Sequence, residues 1–153
     1  NNFTMTIELP KICYFKGEIM KGTINIKPNP PLMISLLSCP LIAHATLKEF
    51  QIYKDGVDDG KEEYILFKYP LNVEQFDKNT LTKGLIIPFE FQIPYYSYPS
   101  FFLDNLNNVK HILTFVFTTI EARKSIVIII KNDQYFNENN QLYKILNLQI
   151  KLK

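Results

Sequence analysis

Apolar and polar residues alternate along most of this chain. Leu85, Ile87, Phe89, Phe91 and Ile93 recur at every second position, the period of a strand with one buried face. Pro88 and Pro94 bring no ladder donor, so this strand is predicted at a sheet edge, or leaving its sheet at Pro94. A turn at Lys83-Gly84 precedes it. Ile93-Pro94 through Pro99-Ser100-Phe101 then carries the chain across to a strand beginning near Val109. The same period marks Phe3, Met5, Ile7 and Leu9, ended by Pro10, and Met20, Gly22, Ile24 and Ile26, with a short run from Ile12 to Phe15 between them.

Pro28-Asn29-Pro30-Pro31 reads as a loop. Leu32 to Tyr53 is a long apolar run broken at Ser38-Cys39-Pro40. Its second half alternates Leu41, Ala43, Ala45 and Leu47 with Ile42, His44, Thr46 and Lys48. Lys54 to Glu63 is polar, with two glycines and mixed charge, and is predicted as an exposed loop. Tyr64 to Tyr69 reads as a short strand. Leu71 to Lys78 fits a strand or a helical turn equally. Phe102 to Lys110 has turn composition. His111 to Ile120 is apolar or Thr on both faces, predicting a central strand buried on both sides. A tight turn at Glu121-Ala122-Arg123-Lys124 joins it to a paired strand, Ser125 to Lys131. Asn132 to Asn140 is a polar connection, and Leu146, Leu148, Ile150 and Leu152 alternate in a last strand. Nine to eleven short strands without a long helical period predict an all-β fold, a two-sheet antiparallel β-sandwich.

Length and composition narrow this. The chain has 153 residues, 46% hydrophobic and 14% aromatic, enough for one domain with a real core. Its net charge of +2 comes from interspersed charges, which excludes the basic stripe of a nucleic-acid binder. Arg123 is the single arginine, so anion binding falls to lysines. Cys13 and Cys39 make no disulfide framework and read as two thiols in a reducing compartment, with one bridge in an oxidising compartment as the alternative. No apolar run reaches a membrane span. The chain lacks an initiator Met and a signal peptide, and starts inside its first strand, so it is expected to be a piece of something longer.

Catalytic and metal chemistry find little support. His44 and His111 each stand alone in a strand and read as structural. Neither cysteine has a ligand partner at zinc spacing. Asp55, Asp58 and Asp59 lack the alternating oxygens of a calcium loop. No nucleophile elbow, phosphate loop or dinucleotide fingerprint occurs, and Ser100 has no base positioned by sequence. No enzyme activity, cofactor or metal is expected.

Two segments carry a resemblance. Gly84, Pro88-Phe89-Glu90-Phe91-Gln92-Ile93-Pro94, Pro99-Ser100-Phe101 and the strand from Ile112 to Ile120 follow in the order seen in the middle of an arrestin N-terminal domain of the α-arrestin kind. Tyr14 to Ile24, with Gly17-Glu18 and Gly22, resembles the family's opening strands. Gly17 is expected to take a positive φ, and Gly22 to admit a close crossing strand. Tyr96-Ser97-Tyr98 is similar to the arrestin-like subunit of retromer. The resemblance spans roughly Phe3 to Lys131.

It implies an immunoglobulin-like arrestin N-domain over 1–153, with a C-terminal arrestin-like domain expected beyond it and a helical turn near Leu71 to Lys78. It implies a non-enzymatic adaptor or scaffold that binds membrane cargo or receptor tails and links them to coat or ubiquitin-ligase components. The alternatives are a subunit of a stable retromer-like coat and a structural sandwich within a larger assembly. The implied location is cytoplasmic, peripheral on endosomal or plasma membrane. Lys11 and Lys16 flank the second strand where the family carries basic residues. Asp55, Gly56, Val57 and Asp58 occupy the position of its central crest loop, although Val57 is the one large apolar residue there, which favours an acidic surface loop. The family's phosphate-sensing lysines precede the first strand, where Asn1-Asn2 stand, so that role does not carry over. Its Pro-Pro-x-Tyr motifs lie outside this domain, and none occurs here.

Overall fold

The computed structural model describes residues 3–29, 42–55, 58–71 and 84–132, which form β-strands and turns without a helix. The strands are β1 (Phe3–Glu8), β2 (Cys13–Phe15), β3 (Ile19–Pro28), β4 (Ala43–Asp55), β5 (Asp58–Pro70), β6 (Leu85–Gln92), β7 (Phe101–Asp104), β8 (Asn107–Phe117) and β9 (Ala122–Lys131). They build a three-stranded sheet, β1-β3-β6, and a six-stranded sheet, β2-β9-β8-β4-β5, with β7 also paired to β8. The expected two-sheet sandwich is therefore present. All pairings are antiparallel except one short parallel pairing of β2 with β9.

The alternating faces meet as predicted. Met5, Met20, Ile24, Ile26, Ile87, Phe89 and Phe91 of the smaller sheet pack against Ala43, Ala45, Leu47, Phe67, Leu113, Phe115, Phe117, Ile128 and Ile130 of the larger. Rings occupy the centre, with Phe89 4.8 Å from Phe115 and Phe91 5.1 Å from Phe67, within the range of favourable ring pairs. β6 takes the edge of the described three-stranded sheet, where the absent N–H of Pro88 costs no ladder bond. Gly17 adopts φ +82°, and a Cβ on Gly22 would lie 2.5 Å from the Glu8 carbonyl oxygen and 2.6 Å from the Phe89 ring. Both glycines do what their spacing implied.

Several expectations are corrected. Lys54 to Glu63 is mostly strand rather than loop. β4 continues to Asp55 and β5 starts at Asp58, in register Lys54↔Asp59 and Gln51↔Glu62. Lys54, Lys61, Glu62 and Glu63 stand exposed on both faces of this hairpin, so charge here marks solvated strand positions. Tyr64 to Tyr69 is thus the second half of a longer strand. Phe102 to Lys110 is a hairpin, β7 and β8, around a turn at Asn105 and Leu106. β8 is central but buried on one face, with Ile112, Thr114 and Val116 half-exposed. The turn after it comes earlier than Glu121 to Lys124: it covers Thr118 to Glu121, with Glu121 at φ 53°, and Arg123 already pairs with Val116. The expectations for Leu32 to Ser38, Asn72 to Lys78 and Leu146 to Leu152 lie outside the described residues, as do Gly56, Val57 and Cys39. Cys13 is a half-buried free thiol.

Candidate functional site

The larger sheet is longer than its partner, and the excess length makes the site. The register extends each strand of the inner face by several rows beyond the core: Glu49 lies opposite His111 and Tyr64, and Gln51 opposite Val109 and Glu62. On its other flank Val109 pairs with Phe101 of β7. Core packing ends where the chain leaves β6 and crosses this face.

That crossing, 93–100, is fastened strand by strand. Ile93 gives its N–H to Glu18 and takes that of Gly17, at 2.9 and 2.8 Å. The Tyr96 hydroxyl donates to the Leu66 carbonyl of β5. The Tyr98 N–H donates to Glu49 Oε1 of β4 at 2.8 Å. Ser100 reaches β8 and β9 together: its Oγ lies 2.6 Å from His111 Nδ1 and accepts the Ile130 N–H at 2.9 Å, while its own N–H donates to the Ile130 carbonyl at 2.7 Å. His111 Nε2 lies 2.8 Å from Glu49 Oε1, with the two side chains 0% and 3% exposed. Gln51 Nε2 donates to Glu49 Oε2 at 2.7 Å. Every acceptor of the buried carboxylate thus has a donor, which is what makes its burial tolerable.

Sequence reasoning left Ser100 without a base and His111 alone, whereas the fold joins both to Glu49. Serine, histidine and a carboxylate are also the parts of a hydrolase relay. Here, however, the Oγ is occupied by the Ile130 amide, and the flanking Ser100 N–H is spent on the Ile130 carbonyl. Among the described residues no pair of free donors is aimed at the place where an oxyanion would form. The bonds this trio makes anchor the crossing segment to β4, β8 and β9. Burial, the larger influence, holds the His111 imidazole below its ordinary pKa, together with the charge of Lys16; hydrogen bonding and attraction from Glu49 oppose it.

Beyond the crossing segment the inner face is exposed and carries rings. Tyr53, Tyr64, Tyr96, Tyr98 and Phe101 stand 43%, 44%, 71%, 61% and 52% exposed, presenting on the order of 500 Å² of ring-bearing surface. Leu103 and Leu106 add exposed apolar surface on the β7–β8 hairpin, whereas Phe102, paired with Asn108 opposite Ile52, stands on the other face of the sheet. The Tyr64 hydroxyl donates to Glu62, and this bond first, then burial and the nearby Glu62, Tyr53 and Tyr98, push its pKa upward. Tyr64 therefore lies within electrostatic reach of Tyr53 and Tyr98. We call this surface the ledge. Its signal in the sequence is the aromatic run Tyr95 to Phe102, which alternation alone assigns to no core.

The opposite face of the same sheet is a shallow concavity of about 460 Å³ between His44, Lys48, Lys68, Thr114 and Arg123. Burial, then the charges of Lys68 and Arg123, hold His44 below its ordinary pKa, so this face is electropositive.

The residues proposed from sequence are not brought together. Lys11 pairs with Glu18 and lies 5.0 Å from the centre of the Tyr14 ring. Lys16 follows β2 and binds the Lys131 carbonyl through its backbone N–H at 3.0 Å. Asp55 and Asp58 face each other at the end of the β4–β5 hairpin, and β9 and β8 separate them from β2. Among the described residues no group of three or more His, Cys, Asp or Glu is placed to hold a metal, and no helix is long and apolar enough to cross a membrane.

No protein-family model and no curated protein matches this sequence. Solved structures do. The sporulation control protein Spo0M of Bacillus subtilis superposes with a TM-score of 0.64 at 15% identity, over 97% of this chain and 56% of that one. Squid arrestin superposes with a TM-score of 0.53 at 12% identity, over 82% of this chain and 48% of that one. The chain spans about half the length of either structure. At these identities the likeness concerns architecture alone: this chain has an arrestin-like fold.

Proposed function

We propose that this domain is a non-enzymatic protein-binding adaptor or scaffold that takes partners on the ledge. One observation carries the reading. A cluster of exposed aromatic side chains is mounted on a crossing segment fastened to β5, β4, β8 and β9, with a fully partnered Glu49–His111 pair beneath it. Exposed rings on a rigid base are what protein interfaces use for affinity, because little side-chain freedom is lost on binding. A patch of this size is at the upper end of what monomers expose. The arrestin-like fold supports the adaptor class, and an α-arrestin-like role linking membrane cargo to coat or ubiquitin-ligase components is its more specific form. A retromer-like coat subunit and a structural module are the competing forms.

The test is affinity capture from a lysate of the source cells with three baits: the unaltered protein, Tyr98→Ser with Phe101→Ser, and Lys48→Glu with Lys68→Glu. Partners lost with the ledge variant and kept with the outer-face variant support the reading. Partners unaffected by the ledge changes, but released by phosphatase or by Lys11→Glu with Lys16→Glu, would overturn it and place binding at the β2 edge.

A further inference from the structure

The six-stranded sheet sorts charge by face. Strand alternation and register put Lys48, Lys54, Lys61, Lys68 and Lys110, the lysines of β4, β5 and β8, on the outer face, with Arg123 of β9 among them. Glu63 shares that face and pairs with Lys48 at 2.7 Å. The ledge, on the inner face of the same strands, has no lysine or arginine of β4, β5 or β8. Among the described residues the acidic side chains near the rings are Glu62, bound by the Tyr64 hydroxyl, and Glu49 beneath the crossing segment; the charge of Lys16, which follows β2, reaches His111 beneath that segment, away from Glu62 on β5. Tyrosine faces are electron-rich and attract guanidinium and ammonium groups, and a carboxylate beside them adds to the attraction.

We infer that the ledge receives an extended segment of a partner protein in which arginine or lysine alternates with apolar side chains. The inference rests on the ledge being the binding surface. Apolar side chains settle on Phe101 and Tyr98, and the cation lies on Tyr64 within reach of Glu62. An acidic or phosphorylated segment would bring negative charge to Glu62 without a counter-ion and is excluded from this face. Such a segment suits the outer face instead. The fold thus keeps two surfaces of opposite preference on one sheet.

The test titrates the 153-residue chain into three labelled synthetic peptides of equal length. Each has Leu and Phe at alternate positions, with Arg, Ser or Glu between them, and binding is followed by fluorescence anisotropy at two salt concentrations. The Arg peptide is expected to bind about tenfold tighter than the Glu peptide, less so in high salt. Tyr64→Ala is expected to weaken it about tenfold and Glu62→Gln about threefold; Lys48→Glu with Lys68→Glu leaves it unchanged. Equal or tighter binding of the Glu peptide overturns the inference. Equal binding of the Ser and Arg peptides, both lost with Phe101→Ala, also overturns it while leaving the ledge as a binding surface. Binding that no ledge variant alters removes both. Concentration-dependent dimerisation in sedimentation, abolished by Tyr64→Ala, assigns the ledge to a second copy and overturns the inference as well.

Discussion

Ser100 concentrates much of the local energetics in one hydroxyl. Its Oγ satisfies His111 Nδ1 and the Ile130 amide at once, so Ser100→Ala orphans two buried groups. The expected cost is about 1–3 kcal/mol, read as a lower urea midpoint at unchanged slope. His111 adds a pH dependence. In the unfolded chain it takes up a proton near pH 6.5, whereas in the folded chain burial holds its pKa lower. Between those two values the unfolded state binds more protons. Stability is therefore complete above about pH 6.5 and declines as pH falls toward the lowered folded value. Urea midpoints measured from pH 8 to pH 5 are expected to fall for the unaltered protein and to fall less for His111→Gln. His44 has the same sign, so the comparison is made in a His44→Gln background. An unchanged slope in His111→Gln would contradict this account. The trio was only partly legible in the sequence. Alternation already places Glu49 on the face of Ala43, Ala45 and Leu47, and His111 on the face of Leu113, Phe115 and Phe117, so two ionisable groups were marked for the core. That they meet depends on the β4–β8 register, and nothing local encodes a pairing across 62 residues.

At the scale of elements, most strands with one buried face were found and those with neither face buried were missed; the start of β8 was also missed, because Asn105, Asn107 and Asn108 masked its buried Val109. β3 and β6 were read from alternation because the smaller sheet lies against the core along their length. The end of β4 beyond Tyr53 and the first half of β5 extend past that cover, so both of their faces are polar in sequence and the pattern that identifies a strand fades. Tyr53 against Gly60 and the Lys54↔Asp59 pairing hold them instead. The crossing segment was legible as a crossing, since Pro94 and Pro99 forbid a continuing ladder, but its attachments were not. Gly22 offers a direct test of how tightly β1, β3 and β6 are joined. A methyl group there meets the Glu8 carbonyl, a backbone atom that moves only with its strand. Gly22→Ala is expected to destabilise the domain by about 1–3 kcal/mol through overpacking. Gly84→Ala makes a useful contrast: its nearest atoms are 3.5 Å away, so any loss there reflects its φ of +88° rather than contact. A neutral Gly22→Ala would mean that β1 and β3 shift apart at little cost.

For the whole molecule, unequal sheet lengths are the organising fact. A three-stranded sheet covers only part of a six-stranded one, and the remainder of the inner face is closed first by the crossing segment and then not at all by the described residues. The order of Gly84, Pro88-Phe89-x-Phe91, Pro94 and Pro99-Ser100-Phe101 carried the arrestin-like architecture because it records this plan: an edge strand, an exit, a crossing and a re-entry into the larger sheet. The ledge was legible only as the aromatic run Tyr95 to Phe102, which alternation assigns to no core; that these rings stand exposed beside Tyr53 and Tyr64 depends on register. Its openness has a measurable consequence. A fluorescent apolar dye such as ANS binds well-packed monomers weakly, because their cores are closed. The folded 153-residue chain is expected to bind it at neutral pH, where the native near-ultraviolet spectrum is retained and a molten state is thereby excluded. Phe101→Ser with Leu103→Ser is expected to remove about a quarter of the signal, given the share of exposed apolar surface these residues hold. Both side chains are more than half exposed, so the thermal midpoint is expected to move little. Dye binding undiminished in this variant, or a melting point that collapses with it, would show that the hairpin rings are packed rather than presented. The ledge would then be part of the core and unavailable to any partner.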